Sequence, residues 1–336
     1  MNGKNRESNF ELLRLVAMFC IVYYHLLVHF VVPVKGDGSF YSALELPLHI
    51  GVPLFIFISG YFGIKPTVFG GVKIFLVAFV YSVPLQLVFD LYNSMSLKEL
   101  LKDVLFLSYG PYWFMRVYLM FYLFVPIVNR FLDGIDYRMR WYSLCVLAFI
   151  NFWFGAFTSG DVSLSTGKNI VNFTFLYILA NTFKHYKYVW MKVKKWHFLL
   201  AYFLLNVFLV TIYYFSPNII FRMIILRTSF GYNSPILLLN ASLLFLYFAK
   251  LNFKSLTINR ISASVLAIYL ISEHNVVKLV LNQIVNKMQV ILDTSIALLL
   301  GVFVLTLGIM MICILIDKVY SPVYCKIVNR NIIIKR

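Results

Sequence analysis

Two ionisable residues stand inside the first long apolar run of the chain, "NFELLRLVAMFCIVYYHLLVHFVV", from Asn9 to Val32. They are Arg14 and His25. A guanidinium stays charged, and its planar fork pairs bidentately with phosphate or carboxylate oxygens. An imidazole takes up or gives up a proton near neutral pH. On a helix turning ~100° per residue, eleven positions return the two side chains to within about 20° of one face, roughly 16 Å apart along the axis. The pair therefore marks one stripe, with an anion-binding group at one end and a proton acceptor at the other. Each residue also has a plainer reading. Arg14 serves equally as an anchor snorkelling to the headgroups, and His25 as a hydrogen-bonding partner of a neighbouring helix. Glu11, three residues before Arg14, is spaced to pair with it.

A second polar group lies in "LAIYLISEHN", Leu266 to Asn275, where Glu273 and His274 fall near the middle of another apolar run. An unpaired carboxylate is costly there, so Glu273 is expected to have a partner. That partner is either an interhelical hydrogen bond or one of His25 and Arg14.

The elements that must hold these residues follow from composition. Hydrophobic residues make up 61% of the 336 and charged ones 13%, with a mean hydropathy of +0.83. Soluble domains carry roughly a quarter charged residues, so this is an integral membrane protein. Its apolar runs approach the ~20 residues of a crossing helix, which excludes the short alternating strands of a barrel. The fold class is all-α, a polytopic helical bundle read as one domain over residues 1–336. About ten spans are expected: Phe10 to Val32, Leu46 to Ile64, Val72 to Tyr92, Tyr112 to Val128, Trp141 to Phe157, Ile170 to Phe183, His197 to Phe215, Asn233 to Ala249, Ser262 to Gln283 and Thr294 to Ile316. The stretch from Pro217 to Pro235 has room for a short re-entrant or interfacial segment. The first run is too long for the core of a removable signal peptide and is expected to stay as a span.

A net charge of +17 raises the question of nucleic acid. The basic residues instead gather in alternate connections: Lys184 to Trp196, Lys250 to Arg260, and the tail after Asp317. This is the positive-inside pattern for an even number of spans with both termini in the cytoplasm, and no nucleic-acid partner is expected. The four cysteines, Cys20, Cys145, Cys313 and Cys325, lie far apart with no clustered histidines, and predict neither a disulfide framework nor a metal site.

An arginine, ten residues and a histidine within the first span resemble the signature of the acyltransferase 3 family. "GVPLFIFISGYF" from Gly51 is similar to that family's Phe-rich second-span ending, and "YWFMRVYLMFYLFVPIVN" from Tyr112 resembles its Trp-Phe, Tyr, Pro, Asn span. Later segments, from Gly167 and Tyr232, and the Tyr-Leu-Ile ending near Leu266 complete the likeness in order. Two features depart from it. Ser272 stands where the family usually has histidine, followed by Glu273 and His274. The paired arginines after the second span are replaced by Lys65 and Lys73.

The resemblance implies a multi-pass enzyme of the bacterial inner membrane. Such an enzyme would move an acetyl or other short acyl group from acyl-CoA to a hydroxyl of a surface or lipid-linked polysaccharide. It implies His25 as general base, since transfer from a thioester needs a group to take the hydroxyl proton. Arg14, with Lys65 and Lys73, becomes the candidate for the phosphates of coenzyme A, and the Arg14 to His25 separation is comparable to the reach of a pantetheine arm. Glu273 or His274 would take the polar role of the missing histidine. Trp113 and Tyr118 are candidate sugar-stacking residues, though aromatic belts at membrane interfaces look the same. Ser59, Gly60 and Tyr61 are expected to shape a close helix turn rather than to react, while His29 and His49 are given no role. The rival reading is a transporter of polysaccharide or of an acylated intermediate. Neither internal repeats nor obviously broken helices are evident, which favours the enzyme.

Overall fold

The computed structural model describes residues 6–36, 40–93, 96–157, 164, 166–216 and 231–333. Their regular secondary structure is entirely helical, without strands. In chain order the main helices are α1 (Ser8–Leu26), α2 (Phe40–Leu48), α3 (Gly51–Phe62), α4 (Val68–Tyr92), α5 (Leu97–Val104), α6 (Trp113–Gly134), α7 (Tyr137–Phe149), α8 (Ile170–His185), α9 (Lys195–Phe215), α10 (Pro235–Ala249), α11 (Leu256–Ile261), α12 (Val265–Ser272), α13 (Asn275–Ile291) and α14 (Ser295–Ile333). Helix α1 runs on through a π-helical turn, Leu27–Val31, and a last turn, Val32–Lys35.

Local sequence sets the starts. Thr67, Asp136, Asn169, Ser234 and Ser255 each accept a hydrogen bond from a backbone N–H of the first turn they precede. Those N–H groups have no partner within the helix, so the caps satisfy them. Glycines at positive φ, Gly36 (89°) and Gly63 (79°), end the extension of α1 and α3, a conformation side chains with a Cβ resist.

Helix occupies each of the ten regions expected to cross the membrane. Among the described residues, six runs are long and apolar enough to do so: Ser8–Lys35, Phe40–Phe62, Val68–Tyr92, Trp113–Gly134, Lys195–Phe215 and Ser295–Pro322. The number rises to seven if Leu256–Ser272 and Asn275–Ile291 count as one bent span. The 16 residues of α8 and 15 of α10 extend only about 22–24 Å, short of a ~30 Å hydrocarbon core. The segment from Pro217 lies largely outside the described residues.

One expectation is corrected. The sequence shows no obviously broken helix, yet the run across Glu273 and His274 bends by 82°. Its physical basis is a new helix start. The His274 side chain caps α13 through Nδ1, which accepts from the Val276 N–H at 3.2 Å.

Contacts divide the chain into two compact units, residues 1–65 with 124–262, and residues 66–123 with 263–336. In the first, α1, α3, α8, α9 and α10 pack through small residues and buried amides. A Cβ on Gly60 would lie 2.5 Å from the Tyr177 carbonyl oxygen, and one on Gly51 2.7 Å from that of Ala17. Such glycines let backbones approach in a medium that gives no hydrophobic drive to helix pairing. Asn206 and Asn240 exchange hydrogen bonds of 2.9 and 2.8 Å, tying α9 to α10. In the second unit α12 lies against α4 and α14. There the Tyr81 hydroxyl donates to Asp317 at 2.6 Å, and that of Tyr112 to the Leu270 carbonyl at 3.0 Å.

Candidate functional site

Helix α1 carries Arg14 and His25, and both fall within its regular α-helical part. The separation of roughly 16 Å along one stripe therefore holds. The amino-terminal end of α1 is held firmly. Asn9 donates to the Phe248 carbonyl at 3.0 Å, and Ser8 Oγ accepts from the Ser255 N–H at 2.8 Å.

Between these anchors and Arg14 sits Glu11, which is buried. One of its carboxylate oxygens pairs with Arg14 Nη1 at 2.5 Å. The other accepts from the Ser262 hydroxyl at 2.5 Å and lies 3.6 Å from Arg6 Nη1. Arg14 itself is one-third exposed, with a side-chain accessibility of 34%. The i, i+3 pairing read from sequence is present, and it turns the guanidinium by one edge while leaving other N–H groups of the fork for a ligand.

His25 lies in the last turn of α1, directly before the π-helical turn. Insertions of this kind occur often at functional sites. Here the turn is part of an aromatic cluster. His25 and His29 have ring centroids 5.3 Å apart, and Tyr24 lies 5.5 Å from His25. Tyr24 meets His49 edge-on at 4.7 Å, and His49 stacks on Tyr232 at 4.3 Å. His49 is buried, and it occupies the break between α2 and α3. Sequence reasoning gave it no role. The available signal was the same as for His25, an imidazole inside an apolar run, here in "ELPLHIGVP" beside a proline and a glycine.

Of the other expected site residues, Lys65 belongs to the first unit and is exposed. It follows a clamped turn. The Asn129 amide donates to the Ile64 carbonyl at 2.8 Å, while the Tyr177 hydroxyl accepts from the Ile64 N–H at 2.9 Å. Ser59, Gly60 and Tyr61 form the helix contact described above, with Ser59 Oγ donating to the Phe55 carbonyl and Tyr61 packed on Phe10.

Lys73, Trp113, Tyr118, Glu273 and His274 lie in the second unit. Lys73 is exposed on α4. Trp113 and Tyr118 are half-buried and join a ladder through Phe114, whose ring stacks on that of Tyr118 at 5.7 Å and meets Trp113 at 6.1 Å. Glu273 is buried and finds its cation five residues away, Lys278 Nζ at 2.7 Å. Both nitrogens of His274 face backbone: Nε2 lies 3.0 Å from the Ser82 carbonyl, and Nδ1 caps α13. The capped N–H fixes the tautomer with the proton on Nε2, which donates to Ser82.

A family model described as an acyltransferase domain matches residues 7–317 of the chain. No curated protein and no solved structure matches it at a significant level.

Proposed function

The chain belongs to the acyltransferase 3 family, and from that premise we propose that this multi-pass membrane acyltransferase uses α1 to carry an acyl group from acyl-CoA to a glycan hydroxyl. The observation that carries the reading is the stripe itself. Arg14, steadied by Glu11, and His25, at the π-helical turn, share one helix at about the length of a pantetheine arm.

In this reading the Arg14 fork binds phosphate at the nucleotide end of the donor, with Lys65 as a further basic group of the same unit. His25 takes the proton of the acceptor hydroxyl as its oxygen attacks the thioester carbon. The carbon–sulfur bond then breaks, and the imidazolium returns the proton to the departing thiolate. The acyl group is acetyl or another short chain, and the acceptor is a surface or lipid-linked polysaccharide at the bacterial inner membrane. With both termini cytoplasmic, the donor enters from inside.

Purified protein given labelled acetyl-CoA and glycan fractions should yield acylated glycan. His25→Ala should lower transfer at least ~100-fold, as expected for loss of a positioned base, while membrane insertion and donor binding persist. Near-normal transfer by that variant would remove His25 from the chemistry.

The 82° bend at Glu273 and His274 favours one other reading, because discontinuous helices line transport paths. Absence of any acylation, together with unmodified glycan stranded inside cells lacking the protein, would select the transporter.

A further inference from the structure

Near the end of α4, within the second unit, a cavity of about 330 Å³ opens between α4, α5 and the turn leading into α6. It is large enough for a small organic ligand. Asp90 lines it and is only 5% exposed. Its two oxygens accept from one donor, Gln86 Nε2, at 3.1 and 3.2 Å. A carboxylate has about four acceptor positions, so half remain.

Among the described residues no ion pair reaches Asp90. His274 lines the same cavity with both ring nitrogens committed to backbone. Lys102 stands exposed on α5, beside a second lining carboxylate, Asp103. The lining thus sets two carboxylates against one ammonium, with His274 a neutral imidazole whose Nδ1 accepts a backbone N–H. A withdrawn carboxylate near the end of a membrane-length helix requires a cation or a strong donor set.

The remaining walls identify the kind of cation. Phe89, Phe106, Tyr109 and Tyr112 line the cavity. Aromatic faces attract organic ammonium groups, whereas a bare metal ion would leave most of this apolar wall unused. We infer that the α4–α5 cavity binds a small primary ammonium compound, with Asp90 as counter-ion and the aromatic residues as its walls. The site is read independently of acyl transfer, so its failure leaves the acyltransferase reading untouched.

Calorimetric titration of the full-length protein, without acyl-CoA, tests this with ethanolamine and glucosamine against their neutral counterparts, ethylene glycol and N-acetylglucosamine. The ammonium compounds should bind at least about tenfold more tightly, the scale of one charge-assisted hydrogen bond. Asp90→Asn, which keeps the shape and a partner for Gln86, should abolish the difference. Tyr109→Ala removes a side chain already 64% exposed, so the fold should persist, and ammonium binding should weaken about threefold. Equal affinity for charged and neutral members, ammonium binding that survives Asp90→Asn, or no effect of Tyr109→Ala would each overturn the proposal. Stabilisation by calcium chloride with no response to either ammonium compound would replace it with a metal site.

Discussion

Replacing Arg14 by lysine separates the proposed donor binding from scaffolding, because the Glu11 contact engages only one edge of the guanidinium. One nitrogen, Nη1, is held 2.5 Å from Glu11. A lysine at this position keeps the charge and can retain that ion pair, so Glu11, buried and bonded to Ser262, still faces a cation. Stability should therefore change by less than about 1 kcal/mol, since the Arg14 end of the pair is one-third exposed and partly screened. What disappears is the fork. A single ammonium held by Glu11 presents no second parallel pair of donors, and the loss for a phosphate is about 1–3 kcal/mol. Donor KM should rise roughly 5- to 150-fold at an unchanged turnover number, the signature of lost ground-state binding. The assay is initial-rate kinetics with acetyl-CoA varied at saturating glycan, alongside a thermal unfolding curve. An unchanged donor KM with collapsed turnover would refute the assignment and make Arg14 a positioning residue for other polar groups. A large fall in the unfolding temperature would show instead that Glu11 tolerates only the planar cation.

Gly60→Ala should destabilise the first unit by about 1–3 kcal/mol, because the added Cβ meets the Tyr177 backbone at 2.5 Å; an unfolding midpoint equal to the parent's would contradict the close α3–α8 contact. Lys194→Cys in a cysteine-free background places a thiol in the basic loop at an exposed position, and an impermeant maleimide should leave it unlabelled in intact cells and label it after permeabilisation. Rapid labelling from outside would reverse the orientation and with it the direction of donor entry. His49→Phe keeps a ring between Tyr24 and Tyr232 but removes its polar edge. If His49 only packs, transfer should stay within about threefold of the parent, whereas loss approaching that of His25→Ala, on the order of 100-fold, would place it in the proton-transfer chemistry.

The membrane class, the helical fold and the Arg14–His25 stripe were all legible in the chain. Hydropathy sums along consecutive residues, and two side chains on one regular helix have a relation fixed by helix geometry alone. The Glu11–Arg14 pair was legible for the same reason, being three residues apart. What lay beyond reach depended on distant partners. Nothing near Glu11 announces Ser262, 251 positions away, and nothing near His49 announces Tyr232. The partner expected for Glu273 is present, but the residue that supplies it was not legible. A continuous helix through that segment sends its carboxylate to look for a partner on another element, but the 82° break brings Lys278 to it from the next turn of chain. Whether an apolar run breaks is not a property of the run. In a membrane, the backbone groups freed at a break must find partners elsewhere. Here His274 supplies one by capping α13, and it is itself anchored to the Ser82 carbonyl, 192 residues distant, a contact that exists only once α4 and α12 have packed together.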